Sequence, residues 1–149
     1  MLWMHGIYRT GTSLWIKLGH MLNAVGRFLP KFSISTVNTA GAATYTASQL
    51  LGGFILRDPN GAARSDVLPT ATLLKAAIPG CVVGTAIEFE IRNTADADEL
   101  LTITAGTGVT LSPTSITIGQ NNTRRLTAVF SNVGSTPAYT VYASAAGTF

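Results

Sequence analysis

Apolar and polar residues alternate along much of the second half of the chain. At residues 87–92, Ile, Phe and Ile alternate with Glu, Glu and Arg. Successive side chains of a strand point to opposite faces, so this spacing predicts a strand with one apolar and one charged face. The same alternation recurs at residues 101–104, 109–111, 115–118, 124–130 and 139–142. Gly, Pro, Asn and Asp separate these segments at intervals of about 8–12 residues, a spacing typical of a sandwich or a barrel.

The residues before this run of strands predict a few further elements. Residues 32–46 predict either a first strand or an extended arm, and residues 52–56 predict a strand. Pro, Asn and Gly within residues 57–61 predict a turn after that strand. Residues 71–78 have helical spacing and predict a short helix, the one helix that we expect inside the β domain.

A helical period also runs through residues 13–29. Its apolar face carries Leu14, Leu18, Met21, Leu22, Val25, Phe28 and Leu29. The opposite face is basic, which predicts an amphipathic helix. Packing against protein is the interpretation that we favour, with contact to a membrane surface and a vestigial targeting sequence as the open alternatives. We therefore expect a basic N-terminal arm at residues 1–35 and a β-sandwich domain at residues 36–149.

Composition and charge favour an assembly. Charged residues make up 11% of the chain and hydrophobic residues 46%, whereas typical domains hold about 25% charged residues. A surface with so little charge favours contact with other protein chains. Residues 1–35 hold four basic residues and no acid, and the remainder holds six basic and seven acidic residues. A basic arm of this kind can engage nucleic acid, anionic lipid or an acidic protein surface.

Few residues carry candidate chemistry. Cys81 is the single cysteine and has apolar neighbours, which predicts a small buried hydrophobic residue. His5 and His20 are the two histidines, and neither spacing predicts a catalytic triad or a zinc site. The carboxylates within residues 96–99 are the best metal candidate, but a solvated hairpin loop is the interpretation that we favour. No metal and no cofactor is predicted.

Two further patterns superficially suit catalysis. Glu88 and Glu90 share one strand face about 6–7 Å apart, a separation seen in glycosidases. We expect them instead to form surface ion pairs with Arg92 or, across the sheet, Arg124. Residues 106–108, Gly-Thr-Gly, match a fragment of a phosphate loop but lack its Lys and following helix, so we expect a β-turn. No catalytic residue is predicted.

Several segments together resemble a known class of proteins. They are Leu-Gly-Gly-Phe-Ile-Leu-Arg-Asp-Pro-Asn-Gly at 51–61, Asp-Val-Leu-Pro-Thr at 66–70, Phe-Glu-Ile-Arg-Asn-Thr at 89–94, Leu-Thr-Ile-Thr-Ala-Gly-Thr-Gly-Val-Thr at 101–110, and Gln-Asn-Asn-Thr at 120–123. Over residues 48–142 the chain resembles small β-rich capsid-associated proteins of double-stranded DNA viruses, chiefly tailed phages (bacteriophages). The resemblance implies a mainly β fold, an antiparallel β-sandwich or jelly-roll-like domain that is often trimeric.

The same resemblance implies a function without catalysis. It implies a virion structural protein on the capsid surface, a decoration or minor capsid protein that cements the shell by contacts with the major capsid protein, as a homotrimer. We expect the arm residues Trp3, Trp15, Leu18 and Phe28 to make such contacts. No small-molecule substrate is expected, and neither is contact with nucleic acid or membrane.

Two alternatives come from other functional classes. The first is a host-recognition spike or tail-fibre module that binds a glycan or a surface protein through the loops at 96–99 and 120–123. The second is a secreted carbohydrate-active enzyme that uses Glu88 and Glu90 as its acid pair.

Overall fold

A computed structural model describes residues 32–145 and 147–148 of the chain. These residues are mainly β, with two sheets and two short helices. In chain order the strands are β1 (Ser33–Asn38), β2 (Gly53–Asp58), β3 (Arg64–Val67), β4 (Ala86–Asn93), β5 (Leu101–Thr104), β6 (Val109–Ser112), β7 (Ile116–Ile118), β8 (Asn122–Asn132), β9 (Ala138–Ala143) and β10 (Gly147–Thr148). The large sheet has the order β1-β2-β4-β8-β9-β6, with β10 beside β8, and the small sheet has the order β3-β5-β7.

Both sheets mix parallel and antiparallel pairs, so the expectation of an antiparallel sandwich is wrong in this respect. The pairs β1/β2, β2/β4, β3/β5 and β6/β9 are parallel. The pairs β4/β8, β5/β7, β8/β9 and β8/β10 are antiparallel. This pattern also departs from a jelly roll, which is built from antiparallel strands. Alternation shows which face of a strand is buried but not its direction, which depends on the connections between strands.

Two helices lie in those connections, where the sequence predicted one. The first, α1 (Ala47–Gly52), begins with a capping box: Thr46 Oγ1 accepts from Gln49 N at 3.2 Å, and Gln49 Oε1 accepts from Thr46 N at 2.8 Å. The second, α2 (Ala71–Ala76), begins after Thr70 and ends two residues earlier than predicted. None of the helices in the described residues is long and apolar enough to cross a membrane.

A single hydrophobic core lies between the two sheets. It contains Phe89, Ile91, Leu126, Phe130 and Tyr139 from the large sheet, Leu101, Ile103, Ile116 and Ile118 from the small sheet, and Leu50 and Leu74 from the helices. The alternation along the chain therefore identified the buried face of most strands. The described residues form a two-layer β structure whose sheets share this core.

The predicted N-terminal arm reaches the described residues only at its C-terminal end. Residues 32–38 contain β1, so the first of the two interpretations for that segment, a strand, is confirmed. The last three residues of the predicted arm, Ser33, Ile34 and Ser35, already belong to the large sheet. The amphipathic helix predicted at 13–29 lies outside the described residues and stays a prediction.

Candidate functional site

A fully buried ion pair joins the two sheets. Arg57 on β2 and Asp66 on β3 both have side chains with 0% exposure, and Arg57 Nε lies 2.6 Å from Asp66 Oδ2. Arg57 Nη2 also donates to Asp66 Oδ1 at 3.2 Å. The guanidinium therefore meets the carboxylate with two nitrogen donors, a geometry that adds both strength and orientation.

Further hydrogen-bond partners of this pair come mainly from the segment between β1 and α1. Tyr45 donates its hydroxyl to Asp66 Oδ2 at 2.8 Å, and the Ala43 backbone N–H donates to Asp66 Oδ1 at 2.7 Å. Arg57 donates to the carbonyls of Thr39 at 3.0 Å and Gly41 at 2.6 Å, and also to that of Asp58. Because removing charges from water is costly, a buried pair persists only when its donors and acceptors are satisfied in this way. The network stabilises the fold and holds residues 39–45 against both sheets.

Sequence reasoning missed this network, although β2 contained a signal. The buried positions of β2 alternate as Gly53, Ile55 and Arg57, so the alternation itself places an arginine on the inward face. The sequence predicts a turn at residues 57–61, whereas Arg57 and Asp58 are the last residues of β2. An arginine in phase with a buried stripe requires an acid partner, and its identity as Asp66 depends on the tertiary fold.

Burial and this network shift the acid–base behaviour of three groups. Burial raises the pKa of Tyr45 above its ordinary value, and the negative charge of Asp66 raises it further. Burial lowers the pKa of Arg57, but hydrogen bonding to Asp66 and its charge outweigh this effect, so the pKa of Arg57 is raised. Burial also raises the pKa of Tyr139, whose hydroxyl donates to the Pro69 carbonyl at 2.6 Å.

The two buried tyrosines predict a loss of stability in alkaline solution. Their folded-state pKa values lie above the ordinary value of 10.0, so above pH 10 the unfolded chain loses protons that the folded chain keeps. Stability is fully present below that pH, and each tyrosine is expected to remove about 1.4 kcal/mol per pH unit above it. Urea denaturation between neutral pH and about pH 11 measures this slope. Tyr139→Phe should lower the slope by the contribution of one tyrosine, about half of the total. A flat stability profile would contradict the prediction.

Of the two glutamates of β4, Glu90 forms an ion pair, but with an arginine that the sequence analysis did not choose. Glu90 Oε1 lies 2.9 Å from Arg125 Nη2, and the two side chains are 28% and 64% exposed. The register of β4 and β8 sets Arg125 opposite Glu90 and Arg124 opposite Ile91. Arg124 instead donates to the carbonyls of Thr117 and Ser144. Adjacent residues of a strand point to opposite faces, so a shift of one position decides which arginine meets the acid.

The acidic loop after β4 divides its carboxylates between solvent and interior. Asp96 and Asp98 are exposed, whereas Glu99 is only 5% exposed. Glu99 Oε1 accepts from the Gly61 N–H at 2.7 Å, and Glu99 Oε2 is buried with no hydrogen-bond partner. Within the described residues, no three His, Cys, Asp or Glu side chains lie together as a metal site would require. The expected hairpin is wrong, because the loop connects β4 of the large sheet to β5 of the small sheet, and it turns one acid inward.

Three connections meet at the same end of the domain. Gln120 Nε2 donates to the Ala95 carbonyl at 3.3 Å, which joins the loop before β8 to the loop after β4. The hydrogen bond from Gly61 N to Glu99 Oε1 joins the turn after β2 to the loop after β4. We call residues 58–61, 95–99 and 119–122 the polar end. Both loops of the predicted host-recognition surface therefore lie together here.

The Gly-Thr-Gly segment at 106–108 is the predicted β-turn. Val109 N donates to the Gly106 carbonyl at 3.1 Å, which closes the turn. The Thr107 carbonyl accepts from Ala71 N at 2.9 Å, at the first residue of α2. The backbone groups of this turn hold the start of a helix, and this is a structural role.

An open groove of about 360 Å³ lies between β5 and β6. Its lining is apolar and hydroxyl-bearing and includes Ile103, Leu111, Thr102, Thr104, Thr110 and Thr114. Threonine hydroxyls have no ordinary titration near neutral pH, so this lining offers contacts but no acid or base. It does not add to the candidate chemistry.

The β1 edge of the large sheet carries two exposed apolar residues. Among the described strands β1 pairs only with β2. Phe32 and Ile34 are 64% and 66% exposed, and we call them the β1 edge patch. The Phe32 ring lies against Gly53, where an added Cβ would come within 2.6 Å of its Cδ1. The patch is thus held on the sheet while it faces solvent.

The four predicted interface residues, Trp3, Trp15, Leu18 and Phe28, lie outside the described residues and stay a prediction. Among the described residues, the candidate contact surfaces are the β1 edge patch and the polar end. Comparison with protein-family models finds no match to this chain, and searches of curated proteins and of solved structures find none either.

Proposed function

We propose that the chain is a non-enzymatic virion structural protein that decorates or cements a viral capsid shell through protein–protein contacts. Its partner is the major capsid protein, its place is the capsid surface, and it acts as a homotrimer. The proposal rests on the resemblance of residues 48–142 to capsid-associated proteins and on the low charge of the chain. Among the described residues, the β1 edge patch is the observation that carries it.

An uncovered edge strand is a site for pairing with another chain. Natural proteins protect such edges with charged side chains, proline, bulges or a covering segment. β1 has the sequence Ser-Ile-Ser-Thr-Val-Asn, which contains no charge and no proline, and its six residues pair with β2 in unbroken register. Addition of a partner strand there would satisfy the backbone by β-augmentation and bury Phe32 and Ile34. A shell contact at β1 therefore fits both its backbone and its side chains.

In this proposal the basic N-terminal segment adds buried area to the shell contact at β1. A specific interface buries at least about 1,000 Å² in total, which is more than one short strand supplies. Residues 1–35 continue directly into β1 and carry Trp3, Trp15, Leu18 and Phe28. In this proposal the segment is an amphipathic helical arm whose aromatic and aliphatic residues bind the shell next to the β1 edge patch. Aromatic anchors of this type dominate the affinity of many interfaces.

The test compares two variants with the unaltered chain. Deletion of residues 1–30, and separately Ile34→Lys, is expected to lower the occupancy of the chain on purified capsid particles by about tenfold or more, equivalent to at least 1.4 kcal/mol. Particles that lack the chain are mixed with each variant, and bound protein is quantified after sedimentation. Ser131→Lys, which adds the same charge at an exposed position of β8, is the matched control.

Three outcomes decide the proposal. Both variants should keep the circular dichroism spectrum and urea midpoint of a folded β domain, because Ile34 is exposed and the buried core of the described residues is built from positions 45–141. Unchanged occupancy of both variants would contradict the shell contact. The mass in solution, from light scattering with and without residues 1–30, tests the assembly: a trimer that survives truncation supports an interface in the β domain, and a monomer in both forms contradicts the homotrimer.

The polar end favours one second candidate, a host-recognition module. The contact between Gln120 and Ala95 brings the two expected recognition loops together, and exposed Asp96 and Asp98 lie on one of them. Loops carried on a rigid scaffold are common binding sites for glycans and proteins. Localisation of the chain on particles separates the two functions, since a vertex or tail position favours recognition and many copies across the shell favour cement.

A further inference from the structure

The turn between β2 and β3 places an Asn-Gly pair beside a buried glutamate. Asn60 and Gly61 have φ values of +54° and +96°, and both residues are exposed. The Gly61 N–H donates to Glu99 Oε1 at 2.7 Å, across 38 residues of sequence. The backbone nitrogen that follows an asparagine therefore lies in direct contact with a carboxylate.

The carboxylate of Glu99 has an unused hydrogen-bond acceptor. It is 5% exposed, and its second oxygen, Oε2, is buried without a partner. A buried carboxylate oxygen without a hydrogen bond is costly and unusual in a folded protein. The ion pairs of the described residues, Arg57–Asp66 and Arg125–Glu90, do not involve this carboxylate. The carboxylate of Glu99 accepts one hydrogen bond, from the Gly61 N–H, and one such bond does not offset the cost of burying a carboxylate.

We propose that Asn60–Gly61 is a self-modifying site, at which the Gly61 nitrogen attacks the side-chain amide of Asn60 and Glu99 acts as the general base. Glu99 Oε1 takes the proton of the Gly61 N–H. A bond forms between Gly61 N and Asn60 Cγ, and the bond between Cγ and Nδ2 breaks. The departing nitrogen takes back the proton from Glu99 and leaves as ammonia, so that a five-membered succinimide remains and the carboxylate is regenerated.

Water completes the reaction. It adds to one of the two ring carbonyls and opens the succinimide to an aspartyl or an isoaspartyl residue, with no change in oxidation state. The exposure of Asn60 gives water access to this ring.

The side-chain amide and the backbone N–H of Asn60 both have hydrogen-bond partners. Asn60 Nδ2 donates to Asn38 Oδ1 at 3.1 Å, and the Asn60 N–H donates to Asp58 Oδ1 at 2.9 Å. These two hydrogen bonds fix the side chain and the backbone of the asparagine within the turn. The new carboxylate would join Asp58, Asp96 and Asp98 and make the polar end more acidic. The modification is therefore a one-way change of surface charge at that end.

The experiment follows the Asn60–Gly61 peptide by mass spectrometry in the purified full chain held at constant temperature and neutral pH. Succinimide is detected as the loss of ammonia, and the two hydrolysis products are separated by chromatography. Glu99→Gln keeps the hydrogen-bond acceptor but cannot take the proton, and is expected to slow modification about 10²-fold, a typical contribution of general-base catalysis. Glu88→Gln, at an exposed position of β4, is the matched control and should react at the rate of the unaltered chain.

A second comparison does not depend on the folding of any variant. The same peptide is followed in the unaltered chain when folded and when unfolded in urea. Faster modification in the folded chain supports the proposal, because only folding brings Glu99 to Gly61. Slower modification in the folded chain overturns it, and so does an equal rate in folded Glu99→Gln and the unaltered chain.

Discussion

Asp66→Ala is expected to lower the free energy of unfolding by about 3–5 kcal/mol. The change leaves Arg57 buried with 0% exposure and no counter-charge. It also removes the acceptor of the Tyr45 hydroxyl and of the Ala43 N–H. Urea denaturation at neutral pH measures the loss as a lower midpoint with an unchanged slope.

The exposed ion pair supplies the matched control for this prediction. Glu90→Ala breaks the contact with Arg125, whose side chain is 64% exposed, and is expected to cost less than about 1 kcal/mol. The double variant Arg57→Met/Asp66→Leu should recover part of the loss, because it removes both charges and fills the space with apolar groups. A cost for Asp66→Ala as small as that for Glu90→Ala would contradict the assigned role of the buried pair.

Gly108→Ala is expected to lower the free energy of unfolding by about 2–5 kcal/mol. Its φ of +78° costs an L-residue roughly 1–2 kcal/mol. A Cβ there would lie 2.6 Å from the Pro137 carbonyl oxygen and 2.9 Å from Ala71 Cβ, and such overpacking typically adds about 1–3 kcal/mol. Thermal or urea unfolding measures the sum.

Gly80→Ala separates the two contributions. Gly80 has a similar φ of +71°, but no atom lies within 4 Å of its Cβ position. Only the backbone cost is expected there, roughly 1–2 kcal/mol. Equal losses for Gly80→Ala and Gly108→Ala would show that the turn at 106–108 does not pack tightly against α2 and the loop before β9.

Local patterns predicted much of the architecture. The alternation at residues 87–92 identified Phe89 and Ile91 as buried, and both belong to the core. Helix α2 begins at Ala71 after its Thr70 cap, where the spacing placed it. The first helix was missed even though Thr46 and Gln49 form a capping box that was present in the sequence. These features depend on residues within one or two turns of each other, so the information for them, including the missed capping box, lies in short stretches of sequence.

Contacts between distant residues were beyond that reasoning. Whether Glu90 pairs with Arg124 or with Arg125 depends on the register between β4 and β8, and the register places Arg125 opposite Glu90. The inward turn of Glu99 depends on Gly61, 38 positions away. In both cases the two partners are more than 30 residues apart in the sequence, so a short stretch of sequence cannot predict that they meet.

By itself the sequence determined a mainly β domain, the buried face of most strands and the second helix, because these follow from side-chain spacing. Only the tertiary structure decided the mixed strand directions, the Arg57–Asp66 pair between the sheets and the meeting of three loops at the polar end. The physical reason is that the alternation of apolar and polar residues indicates which face of a strand is buried. Pairing, register and buried charge depend on which distant segments share the core.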